Sequence, residues 1–465
     1  MKQDMLTFSD QTQGTSRLAR RDFLRVGGLG LGGLALSDLM AANKSLIKDK
    51  SVIFLFMHGG PSQFETFDPK MDAPSEIRSV TGEIKTKIPG VTFGSTFERL
   101  ASLSDKFSIV RSFVTGDAVH DIKTIVGKDT LKANIGSLYS RIAGPLRQGS
   151  AMPTNVALFP KAVSSAAGPV IKQFGDFTSS GEFGATYQPF VPGTGSGAQS
   201  DMTLSMPQQR MDDRRSLLTS LDQWKREMDA CAAIGGMSDF QSLAFDVLRR
   251  GVSDAFDLSK EDPRLIARYD TSKLLPKDRI STQWNNREHY ADNAATLGKL
   301  LLMARRLCER GCGFVTVTTS FVWDMHADNN NAPCRTGMDY VGRPFDHAVS
   351  ALIEDIEARG LSEKIMLVCC GEMGRSPKLN AKGGRDHWGG LAPLMIYGGG
   401  LKMGQVIGQS SRNGGEPASE PITIPDLIST IMHTLVDIGE ARITDGLPPS
   451  LLNVLTRGEP IRGLL

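Results

Sequence analysis

The sequence predicts a doubly wound α/β fold, with a mostly parallel sheet and helices on both faces. Three observations carry this. Apolar runs of strand length recur at Ser51–Met57, Gly313–Ser320 and Ile365–Cys370. Segments of helical period stand between the later runs, and alternation of strands with helices implies parallel pairing with both faces covered. Each of the three runs also ends on residues that can bind a metal or an anion, and open α/β sheets gather their ligands beyond the carboxyl ends of the strands.

The first strand, Ser51–Met57, runs directly into His58-Gly-Gly-Pro-Ser62. A second strand is expected at Phe107–Arg111. From about 145 to 210 the chain turns rich in Gly, Ser, Ala and Pro, as in Pro192-Gly-Thr-Gly-Ser-Gly197. From about 210 to 310 the helical period dominates, with Leu297, Leu300, Leu301, Ala304 and Leu307 on one face. Together these stretches read as a loop-rich and helical insertion at about 145–310, covering the fold or forming a lid. Alternation then resumes. The strand at 313–320 leads to Trp323-Asp-Met-His326, and a helix is expected near Phe345–Ala358. The strand at 365–370 leads to Gly371-Glu-Met-Gly-Arg375, with Gly384-Arg-Asp-His-Trp388 soon after. A strand at Leu394–Tyr397 and a helix near Pro425–Val436 close the pattern.

A chain of 465 residues accommodates one large α/β domain with insertions. Its 53 basic and 51 acidic side chains balance to a formal net charge of +2, and no long basic run is present, which argues against nucleic acid as a partner. The first 42 residues read as an export signal. Paired Arg20 and Arg21 precede Phe23-Leu24, a Gly/Leu-rich stretch from Val26 to Leu36 and then Ala41-Ala42, in the order of a secretory signal of the twin-arginine (Tat) type. The apolar stretch is too short and glycine-rich for a stable membrane span. The expected location is therefore the periplasm or the exterior. Six cysteines, Cys231, Cys308, Cys312, Cys334, Cys369 and Cys370, lack zinc-site spacings. Cys369 and Cys370 read as small core hydrophobes within a strand.

Carboxylates and imidazoles at the strand ends suit a metal centre. His387 reads as a ligand or as a loop brace. Asp324 and His326 flank one residue just after a strand and can turn into one crevice; the alternative is a turn anchored by Trp323. Glu372 reads as a ligand or as an ion-pair partner of Arg375 or Arg385. His58 reads as a ligand or as a polar strand end before a Gly-Gly turn, and His120 with Asp121 as metal-binding. Asp386 reads as an orienting neighbour of His387. Arg375 and Arg385 are fork-shaped donors suited to phosphate or sulfate oxygens, or to structural ion pairs. Ser62 offers a hydroxyl or a tight turn, Asp68 a turn, and Asp346 a helix cap. His289, His347 and His433 read chiefly as structural.

The motifs His58–Lys70, Trp323–His326, Gly371–Pro377 and Gly384–Trp388, with the closing Pro425–His433, resemble the DUF1501 family of exported bacterial proteins from about residue 51 onward. That family is similar to the alkaline phosphatase and sulfatase superfamily. The resemblance implies an alkaline phosphatase-like sandwich with two metals at the strand ends, held by Asp and His, and hydrolysis of sulfate or phosphate esters. By position, His58 stands where the superfamily has its first metal-binding Asp, Asp324 and His326 resemble its Asp/His pair, and His387 its last metal-binding His. The superfamily's hydroxyl or thiol nucleophile has no clear counterpart, because the corresponding stretch reads Thr115-Gly-Asp-Ala-Val-His-Asp121. The expected function is thus an exported hydrolase using a divalent ion (zinc, manganese, calcium or magnesium) on small-molecule or polysaccharide esters. The alternative is a non-catalytic binding or assembly protein on the same fold.

Overall fold

The computed structural model describes residues 46–147, 150, 152–193 and 252–465. The expected signal with Arg20 and Arg21, most of the helical stretch before 252, and Cys231 lie outside the described residues. Among those described, no helix is long and apolar enough to cross a membrane.

Among the described residues, the central sheet has seven strands in the order β11-β4-β10-β7-β1-β6-β5. In chain order these are β1 (Ser51–Phe56), β4 (Phe107–Val110), β5 (Asn155–Leu158), β6 (Phe314–Thr318), β7 (Ile365–Cys370), β10 (Leu394–Gly398) and β11 (Val406–Ile407). Two hairpins lie outside it: β2 (Glu83–Lys85) with β3 (Thr92–Gly94), and β8 (Gly374–Leu379) with β9 (Arg385–Trp388). β1 pairs in parallel with both β6 and β7. β10 alone runs against its neighbours, β7 and β4. The three runs that predicted the fold therefore lie side by side at the centre of the sheet. Their carboxyl ends point the same way.

Alternate residues of each strand enter opposite cores, as the two-residue period requires. Ile53, Leu55, Val315, Val317, Leu367 and Cys369 pack on one face. That face is covered by α3 (Arg287–Glu309) and α4 (Cys334–Ala358), after the shorter α1 (Glu98–Ser102) and α2 (Ile135–Ala143) earlier in the chain. Val52, Phe54, Phe56, Phe314, Val368 and Cys370 pack on the other face, against α2 and α5 (Ile424–Leu435). Burial on both sides is why these strands read as continuous apolar runs. Cys369 and Cys370 are fully buried, one in each core.

The described part of the expected insertion at 145–310 is integral to the sandwich. It supplies β5, the edge strand paired to β6, and α3, which covers the sheet. The helix expected from Phe345 begins instead at Cys334 and carries Pro344 within it. Asp346 is consequently an interior residue of α4. It caps a different helix: its carboxylate accepts the backbone N–H groups of Leu100 and Arg99 at 2.8 and 3.1 Å, at the start of α1. A carboxylate at a helix start satisfies otherwise unpaired donors. We expect Asp346→Ala to lower the unfolding free energy by about 1–3 kcal/mol, by leaving those N–H groups unpaired beside buried Leu100. Urea denaturation reads this directly, and no change in midpoint would refute the cross-helix cap.

Candidate metal centre

The end of β1 organises the crevice. The His58 carbonyl accepts the backbone N–H groups of Val322 and Trp323 at 3.1 and 3.0 Å, folding the chain after β6 over the end of β1. Gly59 makes this approach sterically feasible. Its φ is +114°, and a Cβ there would lie 2.6 Å from the backbone nitrogen of Asp324. The Gly59 N–H donates to Glu372, at 2.9 and 3.2 Å from its two oxygens, which ties in the end of β7. His387 arrives on β9, whose partner strand β8 carries Arg375 opposite it. His120 arrives on the loop after β4, which rests on Gly389: Thr115 and Gly116 donate to its carbonyl. A Cβ on Gly389 would meet the backbone of Asp117 at 2.5 Å.

These segments bring together His120, Asp324, His326 and His387. One ligand atom from each lies within 4.8 Å of all the others. Asp324 is the hub. Its Oδ1 lies 2.9 Å from His326 Nε2 and 3.4 Å from the Nε2 atoms of both His120 and His387. The same oxygen accepts Arg375 Nη2 at 2.7 Å, and Oδ2 accepts Asn331 Nδ2 at 3.0 Å. Burial alone would raise the Asp324 pKa, but Arg375 and the three imidazoles outweigh it and hold the carboxyl well below the usual range.

The imidazoles fit a cation. His326 Nε2 and His387 Nε2 stand 2.6 Å apart. Two ring lone pairs at that distance repel unless they share a proton or a nearby cation draws both to itself. His120 Nε2 is buried and makes no hydrogen bond. Its other nitrogen, Nδ1, lies 3.0 Å from the fully buried Glu372 carboxylate. That contact turns Nε2 toward Asp324. Burial lowers the His120 pKa, but Asp324 and Glu372 outweigh it and raise it overall. Burial lowers the His387 pKa, with Arg375 and His120 adding to the shift and Asp324 opposing it.

Other sequence candidates sit elsewhere. Glu372 lies behind His120, outside the group of four. His58 is also outside it, 1% exposed, within a box of Phe56, Phe174, Phe177 and Phe321 rings at 5.0–5.7 Å. Arg385 does not offer its fork to a ligand. It pairs with Glu65, both side chains having no exposure, and gives its remaining donors to the carbonyls of Ser376, Pro377, Ile77 and Arg78. Arg375 is likewise engaged throughout, by Asp324, His326 and the carbonyls of Gly59, Gly60 and Arg385. Its role in this geometry is to fix Asp324. Asp386 is exposed, 3.5 Å from His326 Nδ1 rather than bonded to its neighbour His387. Ser62 donates to Glu65, which makes it part of the turn. From the 115–121 stretch, the residue in the centre is His120. The Thr115 hydroxyl is buried and makes no hydrogen bond.

Sequence reasoning missed Asn331 and the aromatic wall. Phe174 and Phe321 stack at 4.7 Å, and both pack on His120, at 5.1 and 4.8 Å. The Asp328-Asn-Asn-Asn331 run signals only a turn, and Phe174 stands in a loop with no periodic neighbours.

The fold and the crevice define an α/β sandwich carrying an imidazole–carboxylate centre beyond its central strands. Residues 49–447 match the family described as "Protein of unknown function (DUF1501)", and the chain belongs to that family. Comparison with curated proteins finds no match. Among solved structures, it is similar to the PsFucS1 sulfatase from Pseudoalteromonas sp., at 13% identity, TM-score 0.31, over 92% of this chain and 75% of that one. It is similar to the phosphonate monoester hydrolase SpPMH from Silicibacter pomeroyi, at 10% identity, TM-score 0.35, over 88% and 77%. It is also similar to the alkaline phosphatase from the Antarctic bacterium TAB5, at 12% identity, TM-score 0.28, over 83% and 98%.

The aromatic box around His58 predicts a pH effect. Burial lowers the His58 pKa from 6.5 to about 4. The neutral ring is favoured in the folded state, so this contribution is complete above about 6.5 and is lost as pH falls toward 4. Its full size is on the order of 3 kcal/mol. We expect His58→Phe to flatten the acid loss of stability over that interval, measured by denaturant unfolding from pH 7 to about 4. Parallel wild-type and variant profiles would contradict it.

Proposed function

We propose that this chain is an exported, metal-dependent hydrolase of sulfate or phosphate esters, with one metal ion held by His120, Asp324, His326 and His387. The convergence of these four donors, from two loops and a hairpin, carries the reading. Three imidazoles and one carboxylate suit zinc or another borderline ion such as manganese. They suit calcium or magnesium poorly, since those ions take oxygen ligands. Four clustered donors also favour one metal over the two implied by the resemblance. Bound there, a divalent ion would polarise the ester and lower the pKa of a coordinated water toward about 7.

The chain's own residues set the geometry. Arg375 and Asn331 lock Asp324, and Glu372 orients His120. Asp386 stands where it can orient His326 through Nδ1. Phe174 and Phe321 shield one side of His120 from water. With His120 in place of a hydroxyl nucleophile, attack by water without a covalent enzyme intermediate is the consistent route. Small-molecule or polysaccharide esters are the substrate class, and the twin arginine at the amino terminus supports export.

The test is metal content and turnover measured together. The purified protein is expected to bind about one zinc per chain and to cleave aryl sulfate or phosphate esters only when metal-loaded. His387→Ala is expected to weaken metal binding at least about a hundredfold and to abolish turnover. A metal-replete protein inert toward a broad ester panel would favour the non-catalytic binding role instead.

A further inference from the structure

Resting on the hydrolase reading above, we infer that the centre selects esters with a single negative charge and an apolar or ring-shaped group beside the ester, and disfavours dianionic phosphate monoesters. Two independent observations carry this: the charge around the donors and the wall beside them.

Among the described residues, three buried cations stand on the segments that build the crevice, Lys123, Arg375 and Arg385. Each has a carboxylate partner: Asp117, Asp324 and Glu65. Both arginines also spend their remaining donors on protein groups. None of the three is left to clamp a second anionic oxygen. Three carboxylates adjoin the imidazoles: Asp324, Glu372 and Asp386. Against them, among the described residues, stands one cation in direct contact, Arg375. A divalent ion would bring this set to electrical neutrality. A monoanionic ester then adds one uncompensated charge and a dianionic one adds two, close to fixed carboxylates.

The wall raises the same bar. Phe174 and Phe321 stack on each other and pack against His120, and Phe174 retains partial exposure. An apolar surface beside the centre favours a flat, weakly hydrated group and makes desolvating a second charge more costly. In the reaction, the oxygen of water bonds to sulfur or phosphorus. The bond from that atom to the leaving-group oxygen breaks, the oxygen keeps the electron pair, and one water proton ends on it.

The test uses the full chain loaded with cobalt(II), whose visible absorption reports ligands entering the coordination sphere. It is titrated at pH 8 with phenyl sulfate and methyl phenyl phosphate, both monoanions, and with phenyl phosphate, a dianion. We expect each monoanion to bind at least about tenfold more tightly than the dianion. Asp386→Asn should narrow this ratio severalfold, each titration being read against the variant's own ligand-free spectrum. Phe174→Ala should weaken phenyl sulfate more than methyl sulfate. Tighter binding of phenyl phosphate, or no spectral response to any of the three, would overturn the inference; so would a ratio unmoved by Asp386→Asn. These binding ratios stand apart from turnover. A cobalt-loaded protein that shows the expected ratios yet cleaves none of the esters would sink the hydrolase reading and leave the charge selection standing.

Discussion

The crevice depends on one oxygen. Asp324 Oδ1 sits among Arg375, His120, His326 and His387, all within 3.4 Å. A carboxylate 6% exposed at this position persists only because opposite charge and hydrogen bonds surround it. Arg375 is therefore a structural counter-ion for the centre. Its other donors go to the carbonyls of Gly59, Gly60 and Arg385, so the same guanidinium fastens the end of β1 to the hairpin that carries His387. Removing one partner of a buried pair usually costs about 3–5 kcal/mol, because the other charge is stranded. The arrangement leaves little freedom to reposition Asp324.

This hub explains the Gly59 requirement. Gly59 lies against Asp324, donates to Glu372 and gives its carbonyl to Arg375. Three parts of the centre thus meet on one residue that cannot carry a side chain. Glu372 then passes the constraint to His120 through Nδ1. The donors come from three places in the sequence, yet a short chain of backbone contacts sets their relative positions.

Much of the fold was legible because burial writes itself into strand composition. β1, β6 and β7 are apolar on both faces, so their runs stand out, and their adjacency placed His58, Asp324 and Glu372 at one end of the sheet. Roles at that end were less legible. His58 and Glu372 have ligand chemistry, but an aromatic box encloses one and Gly59 and His120 engage the other. Arg375 and Arg385 have the chemistry of anion binders, yet Asp324 and Glu65 claim them; Glu65 is three residues from Ser62 and gives no sequence sign of a partner 320 positions away. Asp346 reads as a cap in sequence and is one, for a helix distant in the chain. Which polar groups spend themselves on each other is decided by tertiary contact, and local pattern does not record it.

The central claim is a single metal ion bound by three imidazoles and one carboxylate. X-ray absorption spectroscopy on the zinc-loaded full chain tests it most directly. The account predicts one zinc per chain and a first coordination sphere of nitrogen and oxygen at about 2.0–2.2 Å, with multiple-scattering features for about three imidazoles. A sphere containing sulfur, fewer than two imidazoles, or a second zinc within about 4 Å would contradict it.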